Sequence, residues 1–302
     1  MIYTSFACLL LILLPLSKQD DLRRLIQENP EKALPKVQVL VQENPSIETY
    51  LLMAQSWSRV DAHQSLPWLE KVFQLDPEHR DAWQLWADIM SAGRQHEFAI
   101  FRLEQQLERK PESAYLQLLL ARLCVSTNAF LKAEQAFHKV AEIDPSDLKQ
   151  HALYSLGYLY QSLGRVEEGI LHFRKALEVN ASFIPALTGL AELLINLGRW
   201  DDVGSLLDRA RDVAPQNLEV LMLMGRYHLE QGEWERAAAI LQSLLSKEPD
   251  HLQGHFFLAR TYREAGDLVK AREQLEIFQE LKLRARAETL DRYQGLAIQG
   301  GK

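Results

Sequence analysis

This sequence contains little cysteine and has no excess of positive charge. Its 302 residues include two cysteines, Cys8 and Cys124, so neither a disulfide framework nor a cysteine-based zinc site can be built. Lys and Arg number 34 against 41 Asp and Glu, which gives a net charge of -7. A general nucleic-acid binder needs a concentrated basic surface, so we expect no nucleic-acid partner.

Signals for strands and for catalysis are also missing. From Asp20 onward no useful period-two alternation occurs, and no Asn-Gly or Asp-Gly turn separates two apolar runs. No glycine-rich phosphate loop is present. His251 and His255 have the spacing of metal ligands on a helix, but no third ligand accompanies them. We therefore expect no catalytic residues, no metal and no cofactor, and we predict that the protein is not an enzyme.

A long apolar run occurs only at the N-terminus. The run from Phe6 to Leu16 contains Pro15 and is shorter than the roughly 20 apolar residues of a spanning helix. It resembles the apolar part of a signal peptide, although no Lys or Arg precedes it and no A-x-A-like site follows. We interpret residues 1–17 as an apolar leader: a cleaved signal, a short anchor or the apolar start of a cytosolic protein. We expect an exported (periplasmic or secreted) or membrane-tethered protein in preference to a cytoplasmic one.

What the sequence does contain is a repeat of two short amphipathic helices. Three kinds of position recur every 34 residues: a small residue, a turn glycine and a large apolar residue. The small residues bring the two helices close together, the glycines suit a left-handed turn, and the large residues fill the space between helices. These positions are Gly157, Ala191, Gly225 and Ala259; Gly164, Gly198, Gly232 and Gly266; and Phe173, Leu207, Leu241 and Leu275.

The period is irregular in two places. Pro45 and Pro77 are only 32 residues apart, and two extra residues lie between Pro145 and Gly157, where we expect a wider loop at residues 146–150. A last amphipathic helix over residues 283–297 suits a cap that closes a stack of repeats. We therefore divide the chain into the leader, a repeat region at 18–285, and a capping helix with its tail at 286–302.

This pattern resembles the tetratricopeptide repeat family, whose unit is a helix–turn–helix of the same length. The resemblance covers about residues 20–285 and is closest at six positions: Leu156, Gly157, Tyr160, Gly164, Phe173 and Ala176. It implies an all-α fold, a right-handed α-solenoid of about seven repeats, the first of them degenerate. It also implies a concave groove built from the first helix of each repeat, and the binding of proteins or peptides as the usual activity.

The family geometry implies which side chains line that groove. Aromatic, Met and Arg side chains are enriched in binding surfaces. The arginines either bind carboxylates of a peptide, or they are solvated or paired with neighbours such as Glu230 and Glu264. Tyr154 and Tyr158 are expected to be exposed. The implied groove residues are Tyr115, Leu118, Arg122, Tyr154, Tyr158, Thr188, Glu192, Met222, Arg226, Phe256, Arg260 and Arg263.

Two functions follow as hypotheses. The first is a non-enzymatic scaffold or adaptor that holds a partner protein or peptide in the concave groove. The second is a structural or assembly subunit of an envelope or membrane-associated complex, which acts through its ends or by self-association. The leader adds an expected route to membrane association.

Overall fold

The computed structural model describes residues 16–143 and 147–299, with side chains described for residues 20–143 and 147–287. Every element in the described residues is an α-helix, and the sixteen helices follow one another as antiparallel pairs. The sequence predicted about seven repeats, and the described residues contain eight such pairs. The predicted leader lies outside the described residues except for Leu16 and Ser17, and so does the end of the tail.

The chain divides into two compact units, with the boundary between Ala152 and Leu153. The N-terminal unit contains four helical pairs, each made of a first and a second helix. Their bounds are α1 (Leu16–Glu28) and α2 (Pro30–Glu43), α3 (Ile47–Ser58) and α4 (Ala62–Leu75), α5 (Arg80–Ala92) and α6 (His96–Arg109), and α7 (Ala114–Ser126) and α8 (Phe130–Ile143).

The C-terminal unit begins inside the ninth helix. Its helices are α9 (Asp147–Ser162) and α10 (Val166–Val179), α11 (Ile184–Asn196) and α12 (Val203–Val213), α13 (Leu218–Glu230) and α14 (Trp234–Lys247), and α15 (Leu252–Glu264) and α16 (Leu268–Gln299). None of the described helices is long and apolar enough to cross a membrane.

A small residue facing a large one holds each pair together, as the spacing predicted. Phe173 is fully buried, and a Cβ added to Gly157 would lie 2.7 Å from its ring. A Cβ on Gly225 would lie 2.6 Å from Leu241 in the same way. Side chains in a core are packed as densely as an organic crystal, so the small residue sets how closely the two helices approach.

The turn glycines adopt the predicted left-handed conformation. Gly164, Gly198, Gly232 and Gly266 have φ values between 68° and 85°, where a residue without a Cβ is not strained. Arg94 and Asn128 take the same conformation in the N-terminal unit, with φ values of 55° and 58°. These two turns were not predicted, because the left-handed position itself is not occupied by glycine.

The structure differs from the sequence-based predictions at the start of α9 and at the predicted capping helix. The wider loop predicted for residues 146–150 is wrong, because Asp147–Gln150 are helical and α9 has 16 residues where α11 has 13. The extra residues therefore extend the helix. The predicted capping helix at 283–297 is helical, but it continues the second helix of the last pair as α16, which has 32 residues. The proposed division of the chain at residue 286 stays a prediction.

Candidate functional site

The predicted groove residues fall in both units. In the N-terminal unit, Tyr115 and Arg122 on α7 both reach Gln84 on α5. The Tyr115 hydroxyl donates to the backbone carbonyl of Arg80 at 3.0 Å, and Arg122 Nη1 donates to Gln84 Oε1 at 3.3 Å. Burial raises the pKa of the Tyr115 hydroxyl. These side chains therefore connect successive first helices, and Leu118 lies half-buried between them.

A cleft in the same unit was not predicted. It has a volume of about 450 Å³ and is lined by first helices α1, α3 and α5. Its floor is apolar and its rim charged, and Arg23 and Glu48 on the rim approach to 3.9 Å. Counting back from the predicted groove residues in steps of 34 would have indicated these helices. The spacing of 32 residues between Pro45 and Pro77 interrupts that count. The lining includes Arg23, Gln27, Glu48, Leu51, Gln55, Arg59 and Asp81.

In the C-terminal unit, the exposed faces of α9, α11, α13 and α15 form what we call the first-helix surface. Nine predicted groove residues lie on these helices, and eight of them are exposed or half-buried. The ninth, Thr188, was expected to line the groove as well, but this expectation is wrong. Thr188 is 1% exposed, and its hydroxyl donates to the backbone carbonyl of Ile184 at 3.1 Å within its own helix. A threonine that bonds its own helix backbone presents no free polar group to a ligand.

At one end of this surface, Tyr154 and Tyr158 form a pair. Their ring centroids are 5.0 Å apart at an angle of 77°, and each hydroxyl influences the pKa of the other. They are half-buried where exposure was expected, because Phe173 and Phe183 pack beneath them at centroid distances from 5.3 to 5.9 Å. Burial is the main cause that raises the pKa of both hydroxyls, so both stay protonated at neutral pH.

Two carboxylates accompany the tyrosines. A Cβ added to Gly189 would lie 3.5 Å from the Tyr158 ring, and Glu192 follows Gly189 on the same face of α11. The negative charges of Glu192 and Glu219 both act on the two hydroxyls. We call Tyr154, Tyr158, Glu192 and Glu219 the tyrosine cluster. Glu219 was missed because it lies in the first turn of α13, three residues before Met222, the first residue of this helix that was predicted to line the groove.

Arginines dominate the other end of the surface. Arg260 binds Glu230 at 3.1 Å, and Arg263 binds Glu264 at 2.8 Å. Of the two interpretations left open by the sequence, the structure therefore shows the pairing with neighbouring glutamates for these two arginines. Exposed pairs of this kind contribute little to stability, and both arginines are already neutralised by a carboxylate.

Arg226 differs from those two arginines. Its Nη2 donates to the neutral side chain of Asn196 at 2.8 Å, and its guanidinium lies 5.7 Å from the ring centroid of Phe257. Its Nε is buried and has no acceptor among the described residues. Within the described part of the chain, no carboxylate lies within ion-pair distance of Arg226, which is half-buried. The side chain thus carries a charge that the protein itself leaves uncompensated.

The apolar members of the surface lie beside these arginines. Phe256 is 37% exposed and its ring is 5.5 Å from that of Phe278 on α16. Met222 is half-buried and precedes Arg226 by one helical turn. Aromatic and Met side chains next to an arginine are typical of protein-binding surfaces.

His251 and His255 have structural roles, and the internal cysteine is buried. His251 Nδ1 accepts from the backbone N–H of Gly254 at 2.9 Å and caps α15. His255 is hydrogen-bonded to Gln274 and to the carbonyl of Pro249. Cys124 is fully buried, and burial raises the pKa of its thiol. Among residues 20–143 and 147–287, no group of three or more His, Cys, Asp or Glu is arranged to hold a metal ion.

Comparisons with known proteins agree with this architecture. Over 179 residues the chain is 27% identical to anaphase-promoting complex subunit 7 of Arabidopsis thaliana, which covers 57% of this chain and 31% of the relative. Over 124 residues it is 27% identical to mouse Superkiller complex protein 3, covering 41% of this chain and 8% of that protein. The chain thus spans less than a third of the length of either relative.

A solved structure shows the same fold over most of the chain. Yeast Tom70 superimposes with a TM-score of 0.61 at 14% identity, over 88% of this chain and 60% of that one. At this identity the likeness concerns the fold alone. Models described as tetratricopeptide repeat match residues 92–157, 160–227 and 222–281. These matches cover more than half of the sequence, and the chain belongs to the tetratricopeptide repeat family.

Proposed function

We propose that the first-helix surface of the C-terminal unit binds a segment of a partner protein, so that the chain acts as a protein-interaction scaffold. Membership of the tetratricopeptide repeat family supports the general role. Two relatives, anaphase-promoting complex subunit 7 and Superkiller complex protein 3, are by name components of complexes. We assign this binding role to the first-helix surface and to the side chains that it exposes.

The observation that carries the proposal is the uncompensated charge of Arg226. A half-buried charge without a partner is unfavourable, and a carboxylate from another chain would supply the missing partner. Charge-assisted bonds from a guanidinium to a carboxylate are short and often bidentate. Met222 and Phe256 supply the apolar contacts that accompany such an anchor. Arg226 therefore binds an acidic side chain or a C-terminal carboxylate of the partner segment.

Binding of short peptides tests this assignment. Peptides are selected from a randomised twelve-residue display library on the purified full chain, and their affinity is measured for Arg226→Gln and for Arg236→Gln. The control residue, Arg236, is an exposed arginine on second helix α14. We expect Arg226→Gln to weaken binding about tenfold, because a hydrogen bond to a charged group contributes ~1.5–3 kcal/mol. Equal binding by the two variants would contradict the proposal.

A second function, assembly through the C-terminal end, is favoured by one observation. Leu275 on α16 is 41% exposed, whereas Leu207 and Leu241 at the same repeat position are 1% and 0% exposed. Leu268 and Val269 on that helix are 67% and 71% exposed. An uncovered apolar end is a surface on which a second copy or another subunit packs. Sedimentation of the full chain and of Leu275→Glu at micromolar concentration tests it, and a monomer in both cases would count against self-association.

A further inference from the structure

The tyrosine cluster combines aromatic rings with negative charge and contains no cation. Neither Glu192 nor Glu219 forms an ion pair with any lysine, arginine or histidine of the described residues, which distinguishes them from Glu230 and Glu264 on the same surface. Glu192 is half-buried and Glu219 is exposed. The protein thus leaves two carboxylates unpaired beside two half-buried rings.

The rings are held in fixed positions. Tyr158 is perpendicular to the buried ring of Phe173, with an interplanar angle of 90°, and Tyr154 contacts Phe183 at 5.8 Å. Gly189 on α11 leaves room for the Phe173 ring that supports Tyr158, because a Cβ there would lie 3.1 Å from Phe173. Rings held in this way lose little conformational entropy when a ligand binds.

The chemistry of the cluster selects a positive charge. An aromatic ring attracts a cation through its quadrupole, and the attraction strengthens where water is partly excluded. A nearby carboxylate adds a Coulombic term of the same sign. An anionic group would be repelled by Glu192 and Glu219, and a purely apolar group would leave both carboxylates without a partner. Arg226 has the opposite preference, so the surface offers one position for each charge.

We infer that the tyrosine cluster binds an arginine or lysine side chain of the partner segment. The identity of the occupant as part of a partner protein rests on the proposed function, whereas the cation site itself does not. A partner segment that binds at both sites carries a basic residue for the tyrosine cluster and an acidic residue for Arg226. Such a pair of charges also sets the direction in which the segment lies along the first helices.

Nuclear magnetic resonance with a small cationic probe tests the site directly. The full chain is labelled with ¹³C in its tyrosine rings and titrated with N-acetyl-arginine amide and, separately, with the neutral N-acetyl-citrulline amide. The resonances are assigned with Tyr154→Phe and Tyr158→Phe. Tyr227 and Tyr262, which belong to the same unit, serve as references. We expect the arginine probe to shift Tyr154 and Tyr158 alone, and the citrulline probe to bind about fivefold more weakly, as a cation–π contact predicts.

Two further variants separate the carboxylates from the general surface charge. Glu192→Gln/Glu219→Gln keeps the shape of the cluster and removes its charge, and we expect it to abolish the preference for the arginine probe. Glu235→Gln, on second helix α14, is the control and is expected to keep the preference. Unchanged Tyr227 and Tyr262 resonances in the double variant show that the unit is still folded.

Three results would overturn the inference: no shift of Tyr154 and Tyr158 with the arginine probe, equal shifts with both probes, or an unchanged preference in the double glutamine variant. Each of these is independent of the peptide experiment with Arg226→Gln. If the probe fails while peptide binding still depends on Arg226, the cation site is wrong and the proposed function stands. If the arginine probe binds as expected while Arg226→Gln binds peptides normally, the cation site stands and the proposed function is wrong.

Discussion

The two units place different residues at the same turn. The C-terminal unit has glycine at all four left-handed turn positions, whereas the N-terminal unit has Arg94 and Asn128 at two of them. A Cβ in this conformation approaches the following carbonyl oxygen and costs roughly 1 kcal/mol or more. The hairpin geometry is therefore imposed by packing of the two helices, since it forms even at Arg94, whose side chain opposes the left-handed conformation.

The units also differ in how completely their first helices satisfy their own polar groups. In the N-terminal unit, Tyr115 and Arg122 are hydrogen-bonded to Gln84 and to the backbone of Arg80. In the C-terminal unit, Arg226 lies at the same repeat position as Arg122 and also binds an uncharged amide, that of Asn196. Arg122 is exposed, so water satisfies its remaining polar groups, whereas Arg226 is half-buried and its buried Nε has no acceptor among the described residues. The same repeat position is therefore satisfied in one unit and open to a ligand in the other.

The largest effect is expected from Phe173→Ala. Phe173 is fully buried and supports both tyrosines, so we expect a loss of about 3–5 kcal/mol in the free energy of unfolding. Because each repeat depends mainly on its neighbours, hydrogen exchange should increase first in α9–α11. Phe137→Ala, at the same repeat position in the N-terminal unit, should instead affect α7 and α8. Equal loss of protection throughout the chain in either variant would contradict this local account.

Opposite substitutions at the small position should both destabilise. Gly225→Ala places a Cβ 2.6 Å from Leu241, and overpacking of this kind costs about 1–3 kcal/mol. Ala121→Gly in the N-terminal unit removes a Cβ that the packing there accommodates. Because glycine loses more backbone entropy on folding than alanine, this substitution costs about 1 kcal/mol. Urea unfolding of both variants checks the prediction. A stabilised Gly225→Ala would show that the fit between α13 and α14 is looser than the structure indicates.

The turn comparison predicts changes of opposite sign. Arg94→Gly should stabilise the protein by about 1 kcal/mol, because it removes the penalty of a left-handed conformation. Gly198→Ala should destabilise it by a similar amount, for the same reason. Nothing lies within 4 Å of a Cβ added at Gly198, so its effect is conformational and not steric. Unfolding midpoints that move in the same direction for both variants would contradict the conclusion that Arg94 and Gly198 adopt the same left-handed turn conformation.

The smallest effect concerns pH. A hydrogen bond from Arg199 lowers the pKa of Glu167, and the two side chains are 2.5 Å apart. A carboxyl group whose pKa is lowered in the folded state stabilises the protein above its unfolded pKa, and this contribution is lost as the pH falls through the folded value. In Arg199→Gln, the Glu167 titration followed by ¹³C resonances should move to higher pH. An unchanged midpoint would mean that the pair does not persist in solution.

The sequence predicted the repeat because each position has a local physical requirement. The 34-residue spacing of Gly157, Phe173 and Gly164 follows from contacts and turns within one hairpin, so a single sequence contains the necessary information. The extension of α9 could not be predicted in this way, because an inserted pair of residues fits a loop and a helix equally well. Arg94 and Asn128 were missed because their conformation is set by packing and not by residue type.

The binding surface was predicted less completely for a related reason. The positions of Arg226, Tyr154 and Tyr158 on first helices follow from the repeat. Their partners lie about one repeat away, and which neighbour an arginine selects depends on side-chain conformation. The sequence therefore left open whether the arginines are paired, and the structure shows pairing for Arg260 and Arg263 but an uncharged partner for Arg226. Glu219 entered the cluster only because its charge acts on the Tyr154 and Tyr158 hydroxyls in the folded chain.

Photo-crosslinking of a selected peptide shows whether the partner segment binds to the first-helix surface of the C-terminal unit. Benzoylphenylalanine is placed at position 222, one turn before Arg226 on the first-helix surface, or at position 239 on the exposed side of second helix α14. The account predicts that the peptide crosslinks from position 222 and not from position 239, and that excess unlabelled peptide prevents the reaction. Crosslinking from position 239 alone, or equally from both positions, would contradict it.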